Sequence, residues 1–389
     1  MLNVTRLLTG MTQPADTLRY GHGPGAPRAA SSRRPVVVWN ITRRCNLRCI
    51  HCYSNSEARS YPGELTLAEC LEVIDDLAAF RIPALLLSGG EPTLHPHFFS
   101  IAEHARRAGL KVTLSTNGTR LTRDSIRRLR SLGLSYIGIS LDGIGPVHDQ
   151  FRGCSGAFEQ AVRAIRTCQE EGQKVGLRLT LTRHNVRELG ALLDFIEREN
   201  IPRVCFYHLV YSGRGHAVED LPPAEVRQAL DQIFGRVLRW ADLGHNREVL
   251  TVDQPADGAY LTMFLDRIDP ARAEEARRLL RWNGGGAHSS GVGIGNIDHQ
   301  GRVHPDQFWH EHTLGNVRER PFSQIWTESE HPILLGLRNR RPLLRGRCAT
   351  CRFQELCGGG FRVRALQRTG DPWAEDPGCY LTDDEIAPR

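Results

Sequence analysis

Short apolar runs alternate with amphipathic segments from residue 35 to residue 209. The apolar runs have the length of buried strands, and the segments between them repeat apolar residues every three or four positions, which is typical of helices. The predicted strands are Pro35–Asn40, Ala84–Ser88, Lys111–Ser115, Tyr136–Leu141, Val175–Leu181 and Val204–Leu209. The predicted helices between them are Thr66–Arg81, His97–Ala108, Thr122–Leu132, Ala157–Glu171 and Val186–Glu199.

This alternation predicts an α/β fold with a parallel sheet, because a helix in each connection returns the chain to start the next strand in the same direction. Six strand–helix units can form a partial (β/α)6 barrel of the TIM type, whose chemistry gathers at the carboxyl ends of the strands. Along the chain we distinguish four segments. They are a lead and linker at 1–34, the barrel at 35–215, a helical connector at 216–286 and a cysteine-bearing domain at 287–389.

The segments that flank the barrel have weaker patterns. Met1–Met11 predicts one short amphipathic helix in an otherwise poorly ordered lead, and Arg19–Pro35 is typical of a linker because Gly, Pro, Ser and Arg dominate it. The remaining predicted elements are the helices Pro222–Ala241 and Ala271–Trp282, and the short strands Gly291–Ile297 and Arg302–Pro305.

The composition excludes several classes of protein. The 389 residues are 40% hydrophobic and 24% charged, as in an ordinary soluble protein. No apolar run approaches the roughly 18 residues of a membrane span, so we predict no membrane partner. The net charge of +6 comes almost wholly from arginine, because Lys111 and Lys174 are the only lysines. Scattered arginines without a dense basic tract favour coding bias over a nucleic-acid face, so we also predict no nucleic-acid partner.

Seven of the 11 cysteines form two tight groups, one near each end of the chain. No secretory signal precedes them: Arg33 and Arg34 superficially resemble a twin-arginine signal, but the apolar run that follows is too short. We therefore predict a cytoplasmic protein, because clustered cysteines in a reducing compartment are typical of metal ligands. Buried structural thiols are expected at the other positions, with Cys154 held open as a neighbour of the site: Cys70, Cys154, Cys168 and Cys205.

The first group has the spacing C-x3-C-x2-C directly after the first predicted strand, with the thiols of Cys45, Cys49 and Cys52. Three thiolates on one loop can bind three irons of a cubane cluster and leave the fourth iron open, whereas closed clusters have four cysteines. A zinc site and unliganded loop thiols are the alternatives that spacing leaves open.

The second group, Cys348, Cys351, Cys357 and Cys379, supplies four thiols, which would fill a cubane cluster. Gly358–Gly360 follows Cys357 and permits the backbone to wrap closely around a cluster. Spacing alone leaves a zinc ribbon open here as well.

Further polar motifs end the second, third and fourth predicted strands. They are Ser88–Pro92, Ser115–Gly118 and Ser140–Gly143, and His148–Gly153 follows the last of them. Gly89 and Gly90 would let the backbone approach a ligand closely, and Glu91 offers a carboxylate to an ammonium group.

Together with the first cysteine group, these motifs resemble those of the radical S-adenosylmethionine (SAM) enzymes. The resemblance implies that Cys45, Cys49 and Cys52 hold a catalytic [4Fe–4S] cluster whose open iron is chelated by SAM. An electron from the cluster would then cleave SAM to a 5′-deoxyadenosyl radical, which abstracts hydrogen from an unactivated carbon. The implied cofactor-binding residues are Tyr53, Gly89, Gly90, Glu91, Asn117, Ser140, Asp142 and Arg152. Within that set, Glu91 and its glycines would meet the SAM amino group, Ser140 the ribose and Arg152 the carboxylate.

The second cysteine group resembles the SPASM or twitch extension of radical SAM enzymes. This resemblance implies a C-terminal iron–sulfur domain with an auxiliary [4Fe–4S] cluster held by Cys348, Cys351, Cys357 and Cys379. Typical peptide-maturing members carry more cysteines, and residues 287–318 contain none. We therefore expect one auxiliary cluster.

Three further stretches, at 206–215, 289–309 and 357–364, resemble the NirJ family of haem d1 biosynthesis. The resemblance implies a sirohaem-derived tetrapyrrole substrate, 12,18-didecarboxysirohaem, which loses two propionate side chains in favour of oxo groups, with flavodoxin or ferredoxin as the electron donor. Arginines are candidate ligands for substrate carboxylates: Arg178, Arg214, Arg302 and Arg362. Histidines are candidate ligands for substrate iron: His208, His216, His304 and His310.

Two other functions compete with this interpretation. A radical SAM peptide maturase would usually carry a peptide-binding winged helix before the barrel, and residues 1–34 are short and rich in Gly and Pro. A non-catalytic iron–sulfur electron carrier would have no need of the motifs at Glu91, Asn117, Ser140 and Arg152.

Overall fold

The computed structural model describes residues 1–20, 34–284, 286 and 289–388. Two compact units divide the chain. One combines Met1–Ala29, Arg178–Ser289 and Asn339–Arg389, and the other combines Ala30–Leu177 and Ser290–Arg338. Each unit thus draws on several of the predicted segments, whose boundaries stay a prediction.

The strands lie close to their predicted positions. They are β1 (Leu2–Asn3), β2 (Val36–Thr42), β3 (Leu85–Gly89), β4 (Val112–Thr116), β5 (Tyr136–Ser140), β6 (Val175–Leu181), β7 (Arg203–His208), β8 (Glu248–Val252), β9 (Ile294–Ile297), β10 (Arg302–His304) and β11 (Gly315–Asn316).

The helices agree as well where the sequence is amphipathic. They are α1 (Val4–Thr9), α2 (Asp16–Tyr20), α3 (Leu67–Ala79), α4 (Phe98–Arg107), α5 (Arg123–Ser131), α6 (Pro146–Arg152), α7 (Ala157–Glu170), α8 (Leu189–Arg198), α9 (Pro223–Asp242), α10 (Ala256–Ile268), α11 (Pro270–Asn283), α12 (Phe322–Glu328), α13 (Pro332–Arg338), α14 (Arg347–Thr350), α15 (Gln354–Cys357), α16 (Arg362–Thr369) and α17 (Asp383–Ile386). None of these described helices combines the length and apolar composition that crossing a bilayer requires.

The unit that contains Ala30–Leu177 is built on a largely parallel sheet in the order β5-β4-β3-β2-β9-β10-β11. Strands β2 to β5 pair in parallel along the chain, and β9 adds to the other side of β2 in parallel register. The last two strands pair as antiparallel hairpins. Because β2 to β5 share one direction, their carboxyl ends, which carry the polar motifs, lie along one edge of this sheet.

Local sequence explains why the helices of this unit begin where they do. Thr66 caps α3 with its hydroxyl on the amide of Glu69, whose carboxylate returns a hydrogen bond to Thr66. Thr122 and Ser125 make the same reciprocal arrangement at the start of α5. Such capping boxes satisfy backbone donors that a helix start would otherwise leave unpaired.

The lead is more ordered than the sequence predicts over its first 20 residues. Leu2 and Asn3 pair with Thr251 and Leu250 of β8, and α1 packs against α9 and α11 in the same unit. The predicted short helix is present as α1. The prediction of a loose lead fails here because Leu7 is fully buried. Most of the predicted linker Arg19–Pro35 lies outside the described residues.

Strand β8 and helix α10 were not predicted. β8 is buried at every position and pairs in parallel with β7, with Arg203 opposite Glu248. α10 buries the polar or small residues Asp257, Gly258 and Thr262 beside apolar ones. It therefore lacks the one-sided hydrophobic pattern by which amphipathic helices are recognised.

We expect Leu7→Ala to destabilise the protein by roughly 2–5 kcal/mol, because it opens a cavity under α1. The measurement is the midpoint of thermal unfolding compared with wild type. Leu18→Ala is the matched control, since Leu18 lies in the same lead and is 49% exposed. Equal midpoints for the two variants would show that the lead contributes nothing to the folded core.

Candidate functional site

The three thiols of the first group lie on one short loop after β2. Cys45 and Cys49 are buried, Cys52 is partly buried, and Cys154 packs against them. The loop is fixed by backbone hydrogen bonds, from Arg48 to the carbonyl of Arg152 and from Ile50 to the carbonyl of Phe151. The three predicted thiols therefore lie together, and Cys154, which was held open as a neighbour of the site, packs against them.

Backbone and side-chain N–H groups point at these sulfurs. The Leu47 amide donates to Cys45 Sγ at 3.4 Å, and Arg152 Nη1 donates to Cys49 Sγ at 3.4 Å. Burial nevertheless raises the pKa of Cys45 to about 12, and it also raises the pKa of Cys49. Buried thiols of this kind become thiolates when a metal centre binds them, because the metal supplies the compensating charge.

Gly89 and Gly90 are required by a close approach of two backbone segments. A Cβ on Gly89 would lie 2.3 Å from the carbonyl oxygen of Thr42, and one on Gly90 would lie 2.4 Å from that of Arg44. The amides of Gly90 and Glu91 donate to the same two carbonyls at 2.8 and 2.9 Å. The glycines thus join the end of β3 to the start of the cysteine loop, a constraint beyond the ligand approach predicted for them.

The Glu91 carboxylate is fully buried and accepts four hydrogen bonds. Oε1 accepts from the Thr93 hydroxyl and amide at 2.6 and 3.2 Å and from the Thr116 hydroxyl at 2.8 Å. Oε2 accepts from the Asn117 amide at 2.8 Å. Burial raises the pKa of Glu91, while these donors oppose the shift. The expected contact between this carboxylate and an ammonium group does not fit this geometry, because the side chain is 0% exposed.

Asn117 connects the end of β4 to the cysteine loop. Its amide nitrogen donates to Asn46 Oδ1 at 3.1 Å and lies 4.0 Å from Cys45 Sγ. Ser140 ends β5 at the same edge of the sheet and is partly buried. Both predicted residues therefore lie at the carboxyl ends of parallel strands.

Arg152 joins the fourth motif to the cysteine loop. Its guanidinium pairs with the buried carboxylate of Asp142 in addition to its contact with Cys49. Burial alone would lower the pKa of Arg152, but Asp142 and Cys49 raise it above its ordinary value. The amide of Asp142 donates to His148 Nδ1 at 3.0 Å, and burial lowers the pKa of His148 to about 3. His148 is therefore a neutral acceptor that orients Asp142.

One atom of this group is left unsatisfied. The Nε of Arg152 is buried and has no hydrogen-bond partner within the described residues. Buried donors in folded proteins are normally paired, so an unpaired one indicates a position where a ligand can complete the bond.

Tyr53 follows the cysteine loop and packs in an aromatic group. Its ring meets Phe308 edge to face with centroids 5.2 Å apart and is stacked on His310 at 5.9 Å. His310 Nε2 lies 3.1 Å from the Tyr53 carbonyl, and burial lowers the pKa of His310 to about 4. His310 therefore donates to the backbone beside the cysteine loop as a neutral ring.

The four thiols of the second group line one cavity in the other unit. The thiols are those of Cys348, Cys351, Cys357 and Cys379. The cavity is also lined by Gln254, Gly359, Gly360 and Asp376. Backbone amides point at two of the sulfurs, from Gly360 to Cys357 at 3.1 Å and from Phe353 to Cys351 at 3.4 Å. Within the described residues no three Cys, His, Asp or Glu side chains gather closely enough to hold a single ion.

Two buried arginines build this cavity. Arg364 makes a twofold pair with Asp376 at 2.9 Å, and Asp376 also accepts from the amides of Phe361 and Gly378. Arg362 donates to the carbonyls of Pro372 and Ala374 and to that of Gly359. Arg362 was expected to bind a substrate carboxylate, but both of its Nη atoms donate to loop carbonyls and the residue is 1% exposed, so only its buried Nε has no partner among the described residues.

The four candidate histidines have different surroundings. His216 is exposed. His304 is 1% exposed, with Nδ1 on the carbonyl of His312 at 2.9 Å. His208 ends β7, and its Nε2 lies 2.9 Å from Asp257. Asp257 also accepts from the Tyr380 hydroxyl at 2.8 Å.

Sequence reasoning missed Asp257, Asp376 and Tyr380, which have no motif of their own. The positions of Asp376 and Tyr380 beside Cys379 were the available signal.

We expect Glu91→Gln to lower the midpoint of thermal unfolding, with a loss of roughly 1–3 kcal/mol. A glutamine can keep the three bonds to Oε1, but its amide NH2 would face the Asn117 N–H as a second donor. Glu72→Gln is the matched control, because Glu72 is exposed on α3. If the two variants unfold alike, the Glu91 carboxylate is not the connection between these strand ends.

Comparisons with known proteins agree with this geometry. The family model described as "Radical SAM superfamily" matches residues 39–196. The chain is 47% identical to Fe-coproporphyrin III synthase of Methanosarcina barkeri, over 99% of each chain. It is 46% identical to pre-heme d1 synthase of Dinoroseobacter shibae, over 92% of this chain and 89% of that protein.

Among solved structures, SuiB of Streptococcus suis bound to S-adenosylmethionine has a TM-score of 0.70 at 15% identity, over 90% of this chain and 78% of that one. This likeness shows the fold, and it confirms the predicted mixed α/β architecture with a parallel sheet. Relatives that match nearly the whole chain are named as tetrapyrrole synthases. The cysteine loop, the strand-end motifs and these full-length matches together show that the chain belongs to the radical SAM superfamily of enzymes, which use a [4Fe–4S] cluster and SAM.

Proposed function

We propose that this enzyme modifies side chains of a sirohaem-derived tetrapyrrole in haem d1 biosynthesis. The observation that carries the proposal is the 46% identity to a pre-heme d1 synthase over 92% of the chain. The proposed substrate is 12,18-didecarboxysirohaem, and the proposed change is the replacement of two propionate side chains by oxo groups. Full-length sequence similarity at this level supports a shared substrate class more strongly than a shared fold would, because one fold hosts many functions.

The residues at the first cysteine loop fit the cofactor. Cys45, Cys49 and Cys52 would hold the [4Fe–4S] cluster, with the N–H groups of Leu47 and Arg152 tuning two of the sulfurs. When bound, the reduced cluster and SAM supply a 5′-deoxyadenosyl radical that abstracts a hydrogen atom from carbon. The chain's own part is to orient both groups and to keep water away from them.

Each remaining motif has a position that suits SAM. Arg152 offers an unpaired, buried Nε beside Cys49, which suits a carboxylate. In the Ser88–Pro92 motif, the partly exposed backbone at Gly89 and Gly90 is the part that can meet an amino group, because the Glu91 carboxylate is buried. Tyr53, Asn117 and Ser140 would line the nucleoside. Asp142 acts through Arg152, which it holds in place.

We assign the second group to an auxiliary [4Fe–4S] cluster. A single zinc ion would need four sulfurs at about 2.3 Å from one point. The four thiols line a shared cavity, and Gly358, Gly359 and Gly360 take left-handed conformations in succession around it. The resemblance of this group to the SPASM extension favours a cubane cluster over zinc. A flavodoxin or ferredoxin is the proposed electron donor to the enzyme.

The comparisons support a second tetrapyrrole reaction at least as well, with 47% identity against 46%. The match to a Fe-coproporphyrin III synthase covers 99% of both chains, slightly more than the match to the haem d1 enzyme. Formation of Fe-coproporphyrin III is therefore the second candidate. A peptide maturase has weaker support, because the likeness to SuiB is one of fold at 15% identity.

We expect Cys49→Ala to abolish 5′-deoxyadenosine formation and to halve the iron content from about eight to about four per chain, since each cubane holds four irons. Anaerobic reconstitution, iron and sulfide analysis and EPR with and without SAM measure both effects. Cys70→Ala is the control, because Cys70 is buried in α3 away from both groups. Unchanged 5′-deoxyadenosine formation by Cys49→Ala would overturn the cluster assignment, and a spectrum indifferent to SAM in the wild type would favour the electron carrier.

The reaction itself is tested by product mass. The reconstituted enzyme is incubated anaerobically with 12,18-didecarboxysirohaem, SAM and reduced flavodoxin, and the tetrapyrroles are analysed by liquid chromatography and mass spectrometry. We expect a product that has lost both propionate side chains. Fe-coproporphyrin III as the product would establish the second candidate, and unchanged substrate with a competent cluster would contradict both.

A further inference from the structure

We propose that His208, through Nδ1, is the protein ligand to the iron of the tetrapyrrole substrate. This inference rests on the proposed function, and it selects one residue from the four candidate histidines.

The position of His208 suits a residue that binds a substrate at the strand ends of its own unit. It is the last residue of β7, which runs parallel to β8 with Tyr207 opposite Val252. The active sites of parallel α/β enzymes of this type lie at the carboxyl ends of the strands. Asp253 directly follows Val252, the last residue of β8, so Asp253 and His208 both lie at the carboxyl ends of these neighbouring strands.

Hydrogen bonding at one edge of the ring decides which nitrogen is available. Nε2 lies 2.9 Å from Asp257 Oδ2, and Asp257 Oδ1 accepts from the Tyr380 hydroxyl at 2.8 Å. A carboxylate in this position accepts, so Nε2 carries the hydrogen and Nδ1 carries the lone pair. Nδ1 has no hydrogen-bond partner among the described residues, and the side chain keeps 8% of its surface exposed.

This pattern is the one that metal-binding histidines show. They almost always donate the second ring N–H to a carboxylate, a carbonyl or water, which fixes the ring and raises its basicity. Asp257 supplies that carboxylate from a position only 1% exposed. Tyr380 holds Asp257 in turn and is adjacent to Cys379, so the ring is anchored to the loop of the second cysteine group.

Asp253 also stands at this edge, where its carboxylate faces the amino group of Met1 and the guanidinium groups of Arg364 and Arg178. The Oδ2 atom of Asp253 is buried without a hydrogen-bond partner in the described chain. Asp253 also adopts a left-handed backbone conformation with φ of 65°, which costs free energy for a residue other than glycine. Buried, unpaired polar atoms and strained residues gather at sites that bind ligands.

The surroundings also suit an anionic macrocycle. The guanidinium of Arg178 lies 4.9 Å from the centroid of the Tyr207 ring, on the residue that precedes His208. This arginine adds positive charge to the edge, where it also faces Asp253.

The other three histidines fit the role less well. His304 buries its Nε2 completely, 3.6 Å from Asp298 Oδ2, so no iron can reach it. His216 is exposed, and the structure gives it no carboxylate to orient the ring. His310 stacks on Tyr53 beside the cysteine loop, where a macrocycle would compete with SAM.

The test uses the reconstituted enzyme with ferric 12,18-didecarboxysirohaem, without SAM or reductant, so that binding is observed without turnover. Soret absorption and EPR of the ferric iron report the axial ligand, and titration gives the Kd. We expect His208→Gln to remove the nitrogen-ligated spectrum and to raise the Kd by roughly tenfold or more, as loss of metal-site contacts does. Added imidazole should restore the spectrum in His208→Gly, which a merely structural role would not allow.

His310→Gln is the matched control, and it should keep the wild-type spectrum. An unchanged spectrum in His208→Gln, or its loss in His310→Gln instead, would overturn the assignment. Full iron and sulfide content in His208→Gln shows that the variant is folded. If the wild type itself does not bind the tetrapyrrole, the proposed function fails; if it binds and His208→Gln binds alike, only this inference fails.

Discussion

The candidate site depends on one buried carboxylate. Glu91 accepts hydrogen bonds from Thr93, Thr116 and Asn117, so it joins the ends of β3 and β4 inside the sheet edge. The backbone of Gly89 and Gly90, just before Glu91, packs closely against Thr42 and Arg44 at the start of the cysteine loop. A buried acceptor with all its donors in place is rigid, because losing any partner leaves an unsatisfied group in a water-free environment. The loop that carries Cys45, Cys49 and Cys52 is therefore placed by the sheet and not by its own sequence.

Each cysteine group has a buried arginine–aspartate pair behind it. Arg152 pairs with Asp142 beside Cys49, and Arg364 pairs with Asp376 beside the second cavity. Removing one member of such a pair leaves an uncompensated charge in the interior, so each pair holds its loop in one geometry. Within the described residues, each group also leaves one buried guanidinium nitrogen without a partner. The first keeps an unpaired Arg152 Nε beside Cys49, and the second keeps an unpaired Arg362 Nε while Asp376 accepts from Arg364 and from two backbone amides.

The predicted roles changed most at residues whose side chains could face either a ligand cavity or the protein interior. Glu91 and Arg362 were expected to meet a ligand, and both are buried in contacts with their own chain. Conversely, Asp257 and Tyr380 carry no motif, yet they set the tautomer of His208. Spacing in a sequence locates a residue at a strand end, but it does not say whether the side chain faces the cavity or the core.

The sequence by itself determined the strands and helices of the predicted barrel, the flanking elements α1, α9, α11, β9 and β10, and the positions of both cysteine groups. These features follow from local periodicity, capping residues such as Thr66 and Thr122, and short-range spacing, all of which act over a few residues. Only the tertiary structure decided that Leu2 and Asn3 pair with β8, that the first two turns of α10 are buried and that Asp257 supports His208. Those contacts join residues tens to hundreds of positions apart. They depend on which surfaces burial brings together, and no local pattern records that.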